Sequence, residues 1–170
     1  MEEKEIIENI KREIERIKED SEFSSKGHFE DAKYWRYTNY FLMVVSIASV
    51  CASLVFVYSD LDKFWSGTIA VSSGFITMLL VFLNPQEKYL SHYRSGSQFL
   101  SLRNKARIFL EIESYKMIAE QQILALKKLD SKRSRINKNS LPISEKAYKS
   151  AKKQIEIDKN TQYQVDKEQK

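Results

Sequence analysis

The chain has one cysteine, two histidines, two prolines and four glycines in 170 residues. Cys51 lies inside a long uncharged run, where an apolar surrounding disfavours the thiolate that nucleophilic chemistry needs. His28 and His92 have no Cys, His or paired carboxylate at metal-ligand spacing, so the pattern offers no metal site. The glycines build no phosphate-cradling loop, and there is no G-x-S-x-G turn. These absences argue against an enzyme and call for no cofactor.

Charge is plentiful, at 30% of the residues, but it is missing from two places. From Tyr37 to Ser59, and again from Phe64 to Gln86, 23 residues pass without a charged side chain. A helix rising 1.5 Å per residue needs roughly 20 residues to cross a hydrocarbon core of about 30 Å. The remaining sequence is too polar and too short to wrap two such helices in a second layer of core. Two transmembrane helices are therefore expected at 37–59 and 64–86. The first is preceded by an acidic amphipathic stretch, unlike the basic start of a cleaved signal peptide.

Lys26, Lys33 and Arg36 precede the first span and Lys88, Arg94, Arg103, Lys105 and Arg107 follow the second, while the connecting loop at 60–63 carries only Lys63 against Asp60 and Asp62. Positive residues are retained on the cytoplasmic side, which places both termini there. Tyr34, Trp35, Tyr37, Tyr89 and Tyr93 suit the inner interface, and Tyr58, Phe64 and Trp65 the outer one. The expected fold is an all-α membrane protein: a two-helix hairpin with long cytoplasmic helical extensions, assembled as a homo-oligomer.

The flanking regions are helical by pattern. In the amphipathic region 1–36, Ile7, Ile10, Ile14 and Ile17 form a short heptad seam among Glu and Lys, expected to face a partner copy. A long helix is expected at 87–130, with Ile108, Ile112, Tyr115, Ala119, Ile123, Leu126 and Leu129 on one face. A polar linker follows at 131–143. The last segment, 144–170, opens with Ser144 as N-cap and Glu145 in the first turn, then presents Ala147, Ala151 and Ile155 before a tail. The acidic first 22 residues and the basic region Lys88 to Lys138 attract one another. The basic run Lys127 to Lys138 could meet anionic lipid or a nucleotide-bearing partner, and the ordinary expectation for such a run is a solvated helix end. No direct nucleic-acid binding is expected.

The spans are not uniformly apolar. Gly67, Ala70, Gly74, Thr77, Val81 and Asn84 share a face of the second, and Ser46, Ser49 and Ser53 a face of the first, beside the small pair Ala48 and Ala52. Helices in lipid associate where small residues permit close approach, so these faces can close the hairpin on itself. Alternatively, in an assembly of hairpins, the hydroxyls and the Asn84 amide line a narrow aqueous path constricted near Leu79, Leu80 or Phe82. Both readings stay open.

The order of elements, the boundary string HFEDAKYWRYTNY (His28 to Tyr40), the very short loop, and the stretch FLNPQEKYLSHYRSGSQFLSLRNKAR (Phe82 to Arg107) together resemble the SLATT proteins, bacterial two-span effector domains. The resemblance covers roughly Ile10 to Leu129. It implies a pore-forming or membrane-disrupting effector of antiphage or other conflict systems in the bacterial inner membrane. Such proteins are often encoded beside nucleotide second-messenger synthases, and in some lineages beside reverse transcriptases, so the implied trigger is a partner or a nucleotide signal. The rival expectation is a non-conducting anchor whose cytoplasmic helices hold a partner enzyme.

Overall fold

The computed structural model describes residues 2–58 and 63–157. Among them the regular elements are all helical: α1 (Glu2–Tyr58), α2 (Lys63–Leu83), α3 (Pro85–Glu111), a 3-10 turn (Glu113–Lys116), α4 (Ala119–Asn139), α5 (Glu145–Lys152) and a closing π turn (Lys153–Ile157). Of the loop expected at 60–63, residues 60–62 lie outside the described residues, as does the tail after Ile157, and Lys63 already belongs to α2. The residues group into two compact units, Met1–Asp31 with Ser91–Lys170, and Ala32–Leu90.

In the first unit α1, α3 and α4 share one core. Ile10 and Ile14 pack with Ala106 and Phe109, and Ile17 with Phe99, Leu102 and Ile136, while Leu126 and Leu129 of α4 border both groups. Numbers rise along α1 as they fall along α3, so the two helices run antiparallel. On α3 the buried positions Phe99, Leu102, Ala106 and Phe109 recur at the same three-and-four spacing as the isoleucines opposite. Burial of each large side chain here contributes about 1.5–3 kcal/mol.

This arrangement corrects the expectation for the isoleucine seam. Ile10, Ile14 and Ile17 are buried inside the chain's own core, and Ile7 sits half-buried at its rim. The seam does find partner helices, but they are α3 and α4. A heptad pattern specifies that a partner exists without specifying which chain supplies it.

The long helix expected at 87–130 is also broken. α3 ends at Glu111, a 3-10 turn follows, and α4 starts at Ala119 and returns antiparallel. Gln122, buried at 2% exposure, holds this corner: its Nε2 donates to the carbonyls of Ser114 (2.9 Å) and Met117 (3.0 Å). At the far end the Ser140 and Ser95 hydroxyls are 2.9 Å apart. Ile108, Ile112 and Tyr115, three of the residues expected on one face of that helix, are exposed. The expected linker at 131–143 is helical as far as Asn139.

Ser144 is the N-cap of α5, accepting from the Ala147 N–H at 3.2 Å, and Ala147 and Ala151 are buried as their spacing suggested. The charge attraction between α1 and the later helices is realised within the chain, through Glu22 with Arg103 at 3.5 Å and Asp20 with Arg133 at 3.0 Å. The Glu22 pair is largely shielded from water, whereas the exposed Asp20 contributes at most about 1 kcal/mol. Gly96 permits a close crossing, since a Cβ there would stand 2.9 Å from Cε1 of Phe29.

The second unit holds the apolar part of α1, α2 and the start of α3. Two helices are long and apolar enough to cross a membrane, with 18-residue windows of mean hydropathy 2.4 in α1 and 1.7 in the α2 region. Over residues 41–58 of α1 the positions with reduced exposure are Leu42, Val45, Ser46, Ser49, Ala52, Ser53 and Phe56; in α2 they are Ile69, Ser73, Ile76, Leu79, Leu80 and Leu83. Each set repeats every three to four residues, the signature of a helix pair meeting along one seam. Lys88 Nζ lies 4.3 Å from the Trp35 ring centroid, a cation–π contact at the base of this unit.

Candidate functional site

The polar residues of the apolar hairpin are the first candidates, and their hydrogen bonds decide what they can do. Ser49 donates to Val45 O at 2.8 Å, Ser72 to Thr68 O at 2.9 Å, Ser73 to Ala70 O at 3.0 Å and Thr77 to Ser73 O at 2.9 Å. A hydroxyl that bonds back to its own helix needs no outside partner, so these groups can face hydrocarbon or another helix. Ser46 Oγ and Thr77 Oγ1 are 3.0 Å apart and join the two helices. The Thr77 proton is committed to Ser73 O, so Ser46 is the donor.

Ser46, Ser49 and Ser53 lie on the seam side of α1, half-buried, as a packing face requires. Ala70, Gly74 and Thr77 do not form the seam side of α2. Ala70 and Gly74 are exposed, Thr77 reaches the seam only through its hydroxyl, and a Cβ built on Gly74 or Gly67 would meet nothing within 4 Å. The small-residue face of α2 therefore does not close this hairpin on itself. The closing face is the Ile69, Ser73, Ile76, Leu80 row, which is bulkier and carries a single hydroxyl.

Asn84 serves the backbone. It has φ of 42°, a left-handed conformation that asparagine tolerates, and it ends α2 while capping α3. Its Oδ1 accepts from the Glu87 N–H at 3.4 Å, and its Nδ2 donates to the Glu87 carboxylate. Pro85 follows at the first helical position, where its missing N–H costs nothing. Asn-Pro-x-Glu is thus a helix start with reciprocal capping. The signal was present in the sequence but sat inside the uncharged run, which reads as one continuous span through Gln86. Replacing Asn84 would test this junction, not a pore wall.

A second polar cluster, at one end of the first unit, brings together residues that sequence spacing kept apart. His28 and His92, 64 positions distant, are buried with their Nδ1 atoms 3.0 Å apart, one donating and one accepting. His28 stacks on Phe99 at 5.6 Å. Asp31, one turn along α1, accepts from both the backbone N–H (2.8 Å) and the hydroxyl (2.6 Å) of Ser144, which docks the start of α5 against α1. Glu30 adds bonds from Ser150 and Gln154. Among the described residues no three His, Cys, Asp or Glu side chains are placed to hold a metal ion.

Burial is the main reason both imidazoles titrate below the usual range; for His28 the neighbouring His92 adds to it, and Asp31 pulls both back only in part. His28 is pushed down to about 4 from 6.5. The unfolded chain thus binds more protons than the folded one between these values. The contribution of His28 to stability is complete above about 6.5 and is lost as pH falls toward 4, and the lowered His92 acts in the same direction. Moving the detergent-solubilised protein from pH 7.5 to pH 5 should lower the melting temperature of this unit by roughly 5 °C. Replacing His28 and His92 by Gln should flatten that dependence, and an equally steep drop in the double variant would locate the titration elsewhere.

Comparison with protein families, with curated proteins and with solved structures finds no match to this chain.

Proposed function

We propose that this chain is a membrane effector of the kind its sequence resembles, a SLATT-like protein whose copies associate in the bacterial inner membrane and breach it when a signal reaches the cytoplasmic helices. The observation that carries the proposal is the bareness of the hairpin. The most apolar window of α1 has none of its residues buried and that of the α2 region only 6%. In water these would be exposed apolar patches far beyond what a soluble monomer presents. In lipid the apolar side chains are satisfied, but the small face through Gly67, Ala70 and Gly74 is what another helix packs against. Two helices cannot enclose a path, so conduction requires several copies.

The signal would come from a partner, such as a second-messenger synthase or reverse transcriptase encoded nearby. One observation favours the rival reading of a silent anchor: the hydroxyls of α2 are committed to their own helix and offer no spare proton to a passing ion.

Inducible expression in bacteria, followed by membrane potential and dye entry, separates the two. Depolarisation on triggering is expected, and an unchanged potential with and without candidate partners would favour the anchor. In the same cells Asp62→Cys should react with an impermeant thiol reagent from outside. Labelling from the cytoplasm alone would overturn the hairpin topology.

A further inference from the structure

Between α3 and α4 runs a groove of about 380 Å³. Its floor is apolar, with Phe109, Ala125 and Leu129, and its rim carries Lys105, Lys128 and Lys132, with Glu113 as the one acidic side chain. On the outer side of α4, Lys127 and Arg135 extend the positive surface.

From this juxtaposition of a three-lysine rim and an apolar floor we infer that the α3–α4 groove is a binding site for a small phosphorylated organic molecule of nucleotide size. Lys105 and Lys128 are exposed and Lys132 is half-buried, so the rim is open to a ligand arriving from solvent. Elsewhere in the same unit Arg12, Arg16, Lys18, Arg103, Arg107 and Arg133 each meet a carboxylate. Lys105 on α3 and Lys132 on α4 line the same groove from different helices, and neither is paired with a carboxylate among the described residues. Two ammonium groups facing one groove repel each other, and an anion seated between them offsets that repulsion. The crowding leaves its mark: the Lys132 ammonium is held below its usual range, first by burial, then by Lys105 and Arg135.

The volume lies within the range of small-molecule sites, and the floor offers a surface for an apolar ring while the rim accounts for two or more phosphate groups. A lipid headgroup carries the same phosphate chemistry, and the anionic-lipid arm of the test below distinguishes it from a free ligand. The site goes beyond the proposed effector role and does not depend on it, because binding is measured without reference to leak.

The test uses the full chain in phosphatidylcholine nanodiscs with ATP, pyrophosphate and adenosine as probes, read by calorimetry and thermal shift. ATP should bind and raise the melting temperature, pyrophosphate should bind more weakly, and adenosine should not bind. Lys105→Gln and Lys132→Gln should each weaken ATP about tenfold, consistent with loss of one charge-assisted contact, while Lys149→Gln, paired with Glu145 on α5, should change nothing. Without ligand the two groove variants should be at least as stable as the parent, since each removes a repulsion; a marked loss of stability would mean that the lysines are structural and would overturn the site. No binding of either phosphate probe at about 1 mM, where even the weakest specific sites begin to fill, would overturn it too. So would binding indifferent to both substitutions, or stabilisation only by nanodiscs containing phosphatidylglycerol.

Discussion

Ile10→Asp combined with Ile14→Asp unfolds the helical unit formed by the start of α1, α3 and α4. Both isoleucines are buried, Ile14 completely, against Ala106 and Phe109. A carboxylate at either place would lose water without gaining a cation, at a cost of several kcal/mol per site. The pair together approaches the roughly 5–15 kcal/mol that holds a domain folded. Limited trypsin digestion of the solubilised protein reads the result, because Lys127, Lys128 and Lys132 on α4 are protected only while the bundle is closed. Rapid cleavage there is expected. Ile6→Asp supplies the control, since Ile6 is 44% exposed and should shift stability by no more than about 0.5 kcal/mol. Protease resistance equal to the parent would mean that the isoleucine seam is not part of this core. The experiment also distinguishes a seam within the chain from one between copies, because protection in the parent should not depend on protein concentration.

What the sequence disclosed, and what it hid, follows from the range of the interactions involved. Local signals were legible. The two uncharged runs correspond to the two bare apolar helical segments, and Ser144 with Glu145 marked the start of α5. The corner after Glu111 was not legible, because no Gly or Pro announces it and the side chain that secures it, Gln122, reaches back from the next helix. The His28 and His92 pair was hidden for the same reason: only the antiparallel alignment of α1 with α3 makes neighbours of residues 64 apart. The α3 core row was present as a periodic pattern, Phe99, Leu102, Ala106 and Phe109, but the flanking Arg103, Lys105 and Arg107 made it look like a basic region. On α2 the spacing of the small residues does define a face. What spacing cannot say is that the hairpin closes through the other side.

Two leucine substitutions make that last point testable, and they should have opposite effects. Gly96→Leu places a side chain where even a Cβ stands 2.9 Å from the Phe29 ring, itself packed edge-on against Tyr93, so the helical unit should lose about 2 kcal/mol through overpacking. Gly74→Leu enters open space and should leave the fold of a single chain untouched. Closure of the hairpin can be read directly: with Cys51 replaced by Ala, a Ser46→Cys, Thr77→Cys pair replaces hydroxyls 3.0 Å apart and should form an intrachain disulfide on mild oxidation. That crosslink should form as readily with Leu at 74 as with Gly. Assembly should respond differently, because a bulky side chain beside Ala70 separates helices of neighbouring copies that small residues would bring together. Oligomer size in nanodiscs and dye leak from vesicles should therefore fall together, by about tenfold or more in leak if contact between copies is required for conduction. Loss of the crosslink between positions 46 and 77 in the Gly74→Leu background would return Gly74 to the hairpin seam. Parental oligomer size and leak would assign the bare α2 face to lipid, and the proposed effector would then lack its interface.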